Sequence, residues 1–334
     1  MFSRSAYQSL NKSFKKRLVF NLGIDGGFFS EYNNMILAML YCLENKICFS
    51  LYSKNANFKI KEGWTDYFLP FCEEDFNENH IRYNYRMPFT RTTESSSTLY
   101  KYWSNNFVIP FKNSLDPFRD RMKRSMYFKN SKSFNYFTYN LWNKFRSWEM
   151  MSKHFCIPEL DIDGDLQTAC SQLINFTWTY NSCTERKVNN LIQSVNLPQE
   201  YIGFHIRRGD KELEMDSLDI EKYIIKAEST SSIRNGFILT DDYRVITELK
   251  SRFNNWKLYT LCGEDETGYL HKEFSSKSVD FRKESLIKLF SSIDILNKSN
   301  LFIGTFSSNP GMYLGMRRPK DTCVGIDFPS WRIW

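Results

Sequence analysis

The chain has 334 residues, of which 42% are hydrophobic and 17% aromatic, and its net charge is +7 at pH 7. This length exceeds what one compact core usually holds, so two domains are expected, at residues 1–195 and 196–334. No run of 18 apolar residues occurs, which excludes a membrane-spanning helix within these residues.

The excess positive charge lies in the first twenty residues and in residues 101–150. Basic surface of this kind suits phosphates, an anionic membrane or nucleic acid, and a solvated face without a partner would look the same. We expect peripheral membrane contact through the basic N-terminus. A cytoplasmic location is also expected, because the first residues lack the apolar segment and cleavage site of a signal peptide. The sequence makes no prediction of the oligomeric state.

The cysteines and histidines do not form a metal-binding pattern. Eight cysteines are scattered without a CxxC pair, and none of the four histidines forms an HExxH pair. Free thiols are favoured, the even number leaves disulfides open, and neither a metal site nor a cofactor is expected. The stretch "DIDGD" at 161–165 fails as a calcium loop, because Leu166 and Gln172 stand where that loop needs glycine and a bidentate acid.

The N-terminal half opens as an α/β unit. Residues 17–25, "RLVFNLGID", are typical of a buried strand, and an amphipathic helix is predicted at 33–46. Gly26 and Gly27 would let the backbone approach a ligand at the helix N-terminus, although a tight turn alone also explains two glycines. Residues 72–195 are predicted to be mostly helical or irregular, and "NLPQE" at 196–200 is a predicted linker.

The C-terminal half alternates strands and helices. Apolar strands are predicted at 201–207, 236–242, 256–262 and 300–308, and helices at 219–229, 243–253, 282–299 and 311–318. This rhythm predicts a parallel sheet covered on both faces, in which ligands bind beyond the carboxyl ends of the strands. Three of the strand ends carry polar clusters, which predicts a binding crevice at that edge: "HIRRGDK" at 205–211, "TDD" at 240–242 and "TFSS" at 305–308.

The first cluster suits a diphosphate. Arg207 and Arg208 can make bidentate hydrogen bonds to phosphate oxygens, and Lys211 adds a mobile positive charge. The alternative is ion pairing among Arg208, Asp210 and Glu214.

The other two clusters are open to more than one interpretation. Asp241 and Asp242 can orient a sugar, hold an arginine or cap the next helix, and the cap is the commoner role for either residue alone. Thr305, Ser307 and Ser308 offer hydroxyls, and the main-chain N–H groups of the same turn can face an anion. A helix-capping turn would look similar.

Together the motifs resemble a known family. "IGFHIRRGDK", "FILTDD" and "FIGTFSS", in this order and spacing, are similar to the three C-terminal motifs of the α1,6-fucosyltransferases and of the related protein O-fucosyltransferases. The stretches "GGFFSEYNN" and "EGWTDYFLPF" are similar to that family's first donor-side segment. The resemblance implies a GT-B-like α/β fold of two Rossmann-like domains, with GDP-fucose bound to the C-terminal one, and metal-independent transfer of fucose with inversion.

The resemblance also implies roles for individual residues. Arg207 and Lys211 would contact the phosphates and assist the departure of GDP, and His205 would lie by the guanine. Gly27 and Phe28 would close over the diphosphate. The full donor-binding set implied in this way is Gly27, Phe28, His205, Arg207, Arg208, Lys211, Asp241, Asp242, Asp294, Thr305, Ser307 and Ser308.

The resemblance also implies positions in this chain for two acidic residues of the family. The general base, a glutamate shortly after the lysine, corresponds best to Glu214, with Asp216 second. The acid that reads the guanine edge corresponds to Ser292 in ungapped register, and Asp294 follows two residues later.

The predicted function is therefore transfer of L-fucose from GDP-fucose to a glycan hydroxyl, without a nucleic-acid partner. One alternative is a glycosyltransferase that uses another nucleotide sugar. A second is a relative that binds glycans or nucleotides without catalysis, and a third is a nucleic-acid-binding protein that uses the basic, aromatic residues 101–150.

Overall fold

The computed structural model of the chain describes residues 3–23, 26–84, 134–208, 219–268 and 276–333, together with Met126 and Phe274. Three residues to which the sequence assigns acid–base or phosphate chemistry lie outside this set: Lys211, Glu214 and Asp216. The basic segment 101–133 also lies outside it, apart from Met126.

The N-terminal half contains a parallel sheet of four strands in the order β3-β2-β1-β4. The strands are β1 (Lys16–Asn21), β2 (Ile47–Tyr52), β3 (Glu73–Glu74) and β4 (Tyr136–Phe137). The helices of this half up to residue 152 are α1 (Arg4–Ser13), α2 (Phe28–Glu44), α3 (Asn79–Tyr83), α4 (Thr138–Phe145) and α5 (Trp148–Ser152). Leu18, Val19 and Phe20 of β1 are fully buried, because this strand lies inside the sheet with both faces covered.

Helix α2 begins five residues earlier than predicted. Gly27 is its N-cap residue, and Phe28, Phe29 and Tyr32 of the first two turns are buried. Burying a Phe side chain contributes about 1.5–3 kcal/mol, so these rings stabilise a helix that starts at the glycine turn. The glycines thus lie directly at the helix N-terminus.

The middle of the chain contains a β-hairpin that the sequence did not predict. Its strands, β5 (His154–Ile157) and β6 (Ile162–Asp165), are antiparallel. Helices α6 (Leu166–Thr177) and α7 (Ser182–Ser194) follow. The stretch "DIDGD" falls in and beside β6, where Asp165 caps α6 by accepting a hydrogen bond from the Thr168 N–H at 3.0 Å. Its carboxylate serves a structural role here.

The C-terminal half contains a second parallel sheet, of five strands in the order β11-β10-β7-β8-β9. The strands are β7 (Ile202–His205), β8 (Asn235–Leu239), β9 (Lys257–Tyr259), β10 (Leu301–Gly304) and β11 (Cys323–Gly325). The helices are α8 (Glu221–Thr230), α9 (Tyr243–Arg252), α10 (Val279–Lys298) and α11 (Asn309–Arg317). All eight predicted elements of this half are confirmed, whereas β11 was missed because three residues carry no periodicity.

Helices cover both faces of this second sheet, as predicted. Ile202 and Phe204 pack in a cluster with residues of α8 and α9. Phe237 and Phe302 join the other cluster, which contains residues of α10. Gly203 faces α10 so closely that a Cβ atom there would lie 2.8 Å from the Leu296 side chain. The glycine therefore permits the helix to lie directly on the strand.

The two halves share one hydrophobic core. Helix α10 packs against α7, and α11 packs against α2 and α6. At their junction, the Phe290 ring lies 4.8 Å from that of Phe28, and the Tyr313 ring lies 4.9 Å from that of Trp178. Each predicted domain contains one parallel sheet, and the boundary at 195/196 stays a prediction.

All eight cysteines are free thiols, as favoured by the sequence, and Cys42, Cys48 and Cys170 are buried. Among the residues that the structure describes, no helix combines the length and apolarity needed to cross a membrane.

Candidate functional site

The three polar clusters follow three neighbouring strands. Strand β7 pairs with β10 on one side and with β8 on the other, and all three are parallel. Their carboxyl ends therefore meet at one edge of the sheet, which confirms the predicted juxtaposition of residues 205–208, 240–242 and 305–308.

His205 ends β7 and contacts the turn after β10. Its side chain is buried, and its Nδ1 lies 3.3 Å from the Ser308 Oγ. Ser308 donates its hydroxyl hydrogen to the Thr305 carbonyl at 2.8 Å and accepts the Gly311 N–H at 3.2 Å as the N-cap of α11. With that hydrogen on the Thr305 carbonyl, the 3.3 Å contact assigns the proton to His205 Nδ1, and the assigned tautomer leaves Nε2 as a hydrogen-bond acceptor.

The His205 imidazole is held in its neutral form. Burial lowers its pKa to about 3, and the positive charge of Arg207 acts in the same direction, while Asp327 opposes both. A charged imidazole at this position would add repulsion to the arginine.

Arg207 and Arg208 follow β7 directly and are half-buried. The Arg208 main-chain N–H donates to the Asp241 Oδ1 at 2.8 Å, so the clusters after β7 and β8 are joined. Asp242 is buried and is the N-cap of α9, where its carboxylate accepts hydrogen bonds from the Arg244 N–H and guanidinium. These bonds lower the pKa of Asp242. Asp242 therefore caps a helix and holds an arginine, two of the three roles that the sequence left open.

The turn after β10 is held by a residue that the sequence analysis missed. Asp327, two residues after β11, accepts the N–H groups of Phe306 and Ser307, each at 2.8 Å, and that of Phe328 at 2.9 Å. The sequence left open whether N–H groups of this turn face an anion or belong to a helix-capping turn. Those of Phe306 and Ser307 face the Asp327 carboxylate, and Ser308 caps α11. In the sequence, the only sign of this contact is the aspartate in "GIDF" at 325–328. Its neighbours in sequence do not distinguish it from an acidic residue of any surface loop.

The glycine turn of the N-terminal half is also held by a buried carboxylate. Glu31, in the first turn of α2, accepts the Gly23 N–H at 2.9 Å and the Gly26 N–H at 3.1 Å. The positive end of the helix dipole favours an acid here. Gly27 is exposed, whereas the Phe28 side chain is packed in the core, so only its main chain is left to meet a ligand.

Helix α2 reaches the same region as the turn after β10. Asn33 of α2 donates from Nδ2 to the Asn309 carbonyl at 3.0 Å, next to Ser308. In addition, the Phe29 and Tyr313 rings lie 4.8 Å apart. The N-termini of α2 and α11 are thus fastened together across the two halves.

Asp294 is held by side chains of both halves. Its carboxylate accepts hydrogen bonds from the Trp178 Nε1 at 3.0 Å, the Tyr180 hydroxyl at 2.9 Å and the Arg317 guanidinium at 2.9 Å. Ser292, two residues before Asp294 on the same helix, is buried and donates to the Lys288 carbonyl. The sequence-based role of Asp294 at the guanine stays a prediction, and the structure adds a role between the halves.

The remaining candidates cannot be placed. Lys211 and Glu214, with Asp216 as the second choice of base, lie outside the described residues. Within the described part of the chain, no three His, Cys, Asp or Glu side chains are grouped as metal ligands.

Comparison with known proteins relates the chain to one family. Residues 168–310 match the family model of the α-(1,6)-fucosyltransferase N- and catalytic domains, a segment that contains all three polar clusters. An alignment of 170 residues with the α-(1,6)-fucosyltransferase of Caenorhabditis elegans is 26% identical and covers 47% of this chain. It covers 29% of that enzyme, so the chain spans less than a third of this relative's length.

The fold is similar to that of crystal structures of NodZ α-1,6-fucosyltransferase. The structure soaked with GDP-fucose aligns with a TM-score of 0.51 and 15% identity, over 94% of this chain and 96% of that one. A second NodZ structure, from Bradyrhizobium, aligns with a TM-score of 0.50 and 15% identity, over 94% and 97% of the two chains. The predicted GT-B-like fold and the relationship to the α-1,6-fucosyltransferases are thereby confirmed.

Proposed function

We propose that this chain is a fucosyltransferase that moves L-fucose from GDP-fucose to a glycan hydroxyl, with inversion and without a metal ion. The observation that carries the proposal is the meeting of the three polar clusters at one sheet edge, within the segment that matches the catalytic-domain model. The likeness to NodZ, whose crystal was soaked with GDP-fucose, supports the choice of donor.

In this proposal, the donor diphosphate lies against the carboxyl ends of β7 and β10. The Arg207 guanidinium stabilises the negative charge that develops on GDP as the bond to fucose breaks. Ser307 offers its hydroxyl to the phosphates, whereas the Ser308 hydroxyl is donated to the Thr305 carbonyl. The neutral His205, with Nε2 as an acceptor, suits the N–H groups of a guanine edge.

The chemical step is a single displacement. The acceptor oxygen attacks the anomeric carbon of fucose, the bond from that carbon to the phosphate oxygen breaks, and GDP leaves with the electron pair. A carboxylate takes the hydroxyl proton, and Glu214 is the proposed base, with Asp216 second. Attack from the face opposite to GDP inverts the anomeric centre.

The test is incubation of the protein with GDP-fucose and an oligosaccharide array, with mass detection of products. Arg207→Ala is expected to lower kcat/KM by on the order of 10²-fold, because it removes charge stabilisation of the leaving group. Arg252→Ala is the matched control, since Arg252 is an exposed arginine at the end of α9, and it should stay within about twofold of wild type. Wild-type rates for Arg207→Ala would contradict the proposal.

Glu214→Gln separates an enzyme from a binding protein. It should abolish transfer while GDP affinity, measured by calorimetry, stays near that of wild type. Equal transfer by Glu214→Gln and Asp216→Asn variants and by wild type would exclude both carboxylates as the base.

The second candidate function is transfer of a sugar from another nucleotide sugar. Ser292 favours it, because a serine stands where the family has the acid that reads the guanine edge, and its hydroxyl donates to the Lys288 carbonyl. A panel of nucleotide sugars scored by released nucleotide decides between the two, because preference for a non-guanine donor would reject GDP-fucose.

Contact with an anionic membrane is a separate part of the proposal. Lys12, Lys15 and Lys16 are exposed, whereas Arg4 donates to the Phe176 carbonyl and Arg17 pairs with Glu73. Sedimentation with phosphatidylserine vesicles at low and high salt tests it, and binding should weaken as salt rises. The cytoplasmic location stays a prediction.

A further inference from the structure

The turn between β10 and α11 has its main-chain N–H groups occupied from within the protein. Asp327 accepts those of Phe306 and Ser307 at 2.8 Å, and the Thr305 carbonyl accepts that of Ser308 at 3.3 Å. An anion that approaches this turn therefore meets the hydroxyls of its side chains, while these three N–H groups are already engaged.

The chain beyond β11 holds Asp327 in place. The Ile326 N–H donates to the Gly304 carbonyl at 2.9 Å, which continues the pairing of β11 with β10. A Cβ atom at Gly325 would lie 2.2 Å from the Phe328 carbonyl and 2.6 Å from the Phe306 ring. Only glycine allows the segment to lie this close to the turn.

Asp327 is also near the buried imidazole of the site. Its negative charge acts on His205, whose Nδ1 contacts the Ser308 Oγ. One carboxylate thus fixes the turn that presents Ser307 and Ser308, beside the residue that ends β7.

We propose that Asp327 is a positioning residue of the donor site, which holds the turn of residues 305–308 so that the Ser307 hydroxyl, together with Arg207, receives the diphosphate of the donor. This inference rests on the proposed function, because it takes GDP as the ligand of the turn. The opposite possibility is that Asp327 is a placeholder that leaves when a phosphate takes the same N–H groups.

The chain offers a control in Asp75. Its carboxylate accepts the Asn77 N–H at 2.8 Å and lies 3.2 Å from the His80 Nε2, so it holds a loop of the N-terminal half by the same kind of contact. Asp75 follows β3 and lies outside the stretches that resemble the family's donor-side segment.

The experiment is calorimetric titration of GDP into wild type, Asp327→Asn and Asp75→Asn, with the melting temperature of each. Asp327→Asn should weaken GDP binding at least tenfold and raise the KM for GDP-fucose more than it lowers kcat. Asp75→Asn should lower the melting temperature and leave GDP affinity within twofold. Asp327→Glu keeps the charge and moves it by one methylene group, so its GDP affinity should lie between those of wild type and Asp327→Asn. If Asp327→Asn does not fold, Asp327→Glu takes its place in the comparison.

The outcomes separate this inference from the proposed function. If wild type binds no GDP, the proposed function is wrong. If wild type binds GDP and Asp327→Asn binds it equally tightly, only the positioning role is wrong; tighter binding by Asp327→Asn would in addition identify Asp327 as the placeholder. Hydrogen exchange without ligand is an independent check of the contact, because the Phe306 and Ser307 amides should be protected in wild type and exchange faster in Asp327→Asn.

Discussion

The stability of the folded chain depends on the protonation state of the buried His205 side chain. Burial and the neighbouring Arg207 lower its pKa to about 3, against about 6.5 for an exposed histidine. Between these two values the unfolded chain binds a proton that the folded chain does not. The contribution of His205 to stability is therefore fully present above about pH 6.5 and is lost as the pH falls towards 3.

The first prediction concerns this dependence. The free energy of unfolding of wild type should fall between pH 7.5 and 5, with His205 contributing up to about 1.4 kcal/mol per pH unit below pH 6.5. His205→Gln should lose that part of the slope in urea denaturation series. Parallel curves for wild type and His205→Gln would contradict the buried neutral imidazole.

The residues of the site differ in how far the sequence could predict them. His205, Arg207 and Ser308 follow apolar strands, so the strand pattern and the parallel-sheet rule predict that they meet. Asp327 and Glu31 could not be assigned in this way, because each acts by accepting main-chain N–H groups from a loop whose path only the folded chain defines. Asp294 was predicted at the donor, yet its partners Trp178 and Arg317 are more than twenty residues away in sequence and leave no local pattern.

At the scale of elements, α2 and α11 begin at glycine- or serine-containing turns that differ in how tightly they are packed. A Cβ atom at Gly311 of α11 would lie 1.9 Å from the Thr305 carbonyl. At Gly27, the N-cap of α2, a Cβ atom would have no atom within 4 Å. The two glycines therefore predict different outcomes for the same substitution.

The second prediction compares Gly311→Ala with Gly27→Ala. Gly311→Ala should destabilise the protein by about 1–3 kcal/mol, because the methyl group displaces the turn that carries Ser308. Gly27→Ala should cost at most about 1 kcal/mol, from the weaker N-cap preference of alanine. If Gly27 closes over the diphosphate, Gly27→Ala also weakens GDP binding. Urea denaturation and GDP titration measure both effects, and equal stability losses would refute the packing argument.

The elements of the C-terminal sheet were predictable, whereas the hairpin β5–β6 was not. Strands of four or more buried residues that alternate with helices give a clear apolar pattern, as in 202–205 and 301–304. Strand β5 shows only four alternating positions, and β11 has three half-buried residues. Elements this short are stabilised by their neighbours in the fold rather than by their own sequence.

At the scale of the whole molecule, a buried ion pair of the second half also binds side chains of the first half inside the aromatic junction. Arg317 of α11 pairs with Asp294 of α10 at 2.9 Å, with 18% and 13% of their side chains exposed. Trp178 and Tyr180, which precede α7, donate to the same carboxylate. Removing one partner of a buried pair leaves the other charge uncompensated, so loss of Asp294 should destabilise the packing of the two halves against each other.

The third prediction is that Asp294→Ala destabilises the protein by about 3 kcal/mol or more. Glu221→Ala is the control, because Glu221 pairs with Arg252 at the surface and should cost under about 1 kcal/mol. Wild type should unfold in urea as a single transition seen equally by tryptophan fluorescence and circular dichroism. Two separate transitions in wild type would show that the halves are independent.

The packing of α10 and α11 on the first half also bears on how the chain is made. Phe290 and Tyr313 lie against Phe28, Phe29 and Trp178, yet a ribosome adds them more than a hundred residues after Trp178. Until then, the emerging first half exposes an aromatic face that has no cover, and such faces promote aggregation. The nascent chain therefore reaches its native state only when α11 has left the exit tunnel, and ribosome-bound chains that stop before residue 279 should depend on chaperones to stay soluble.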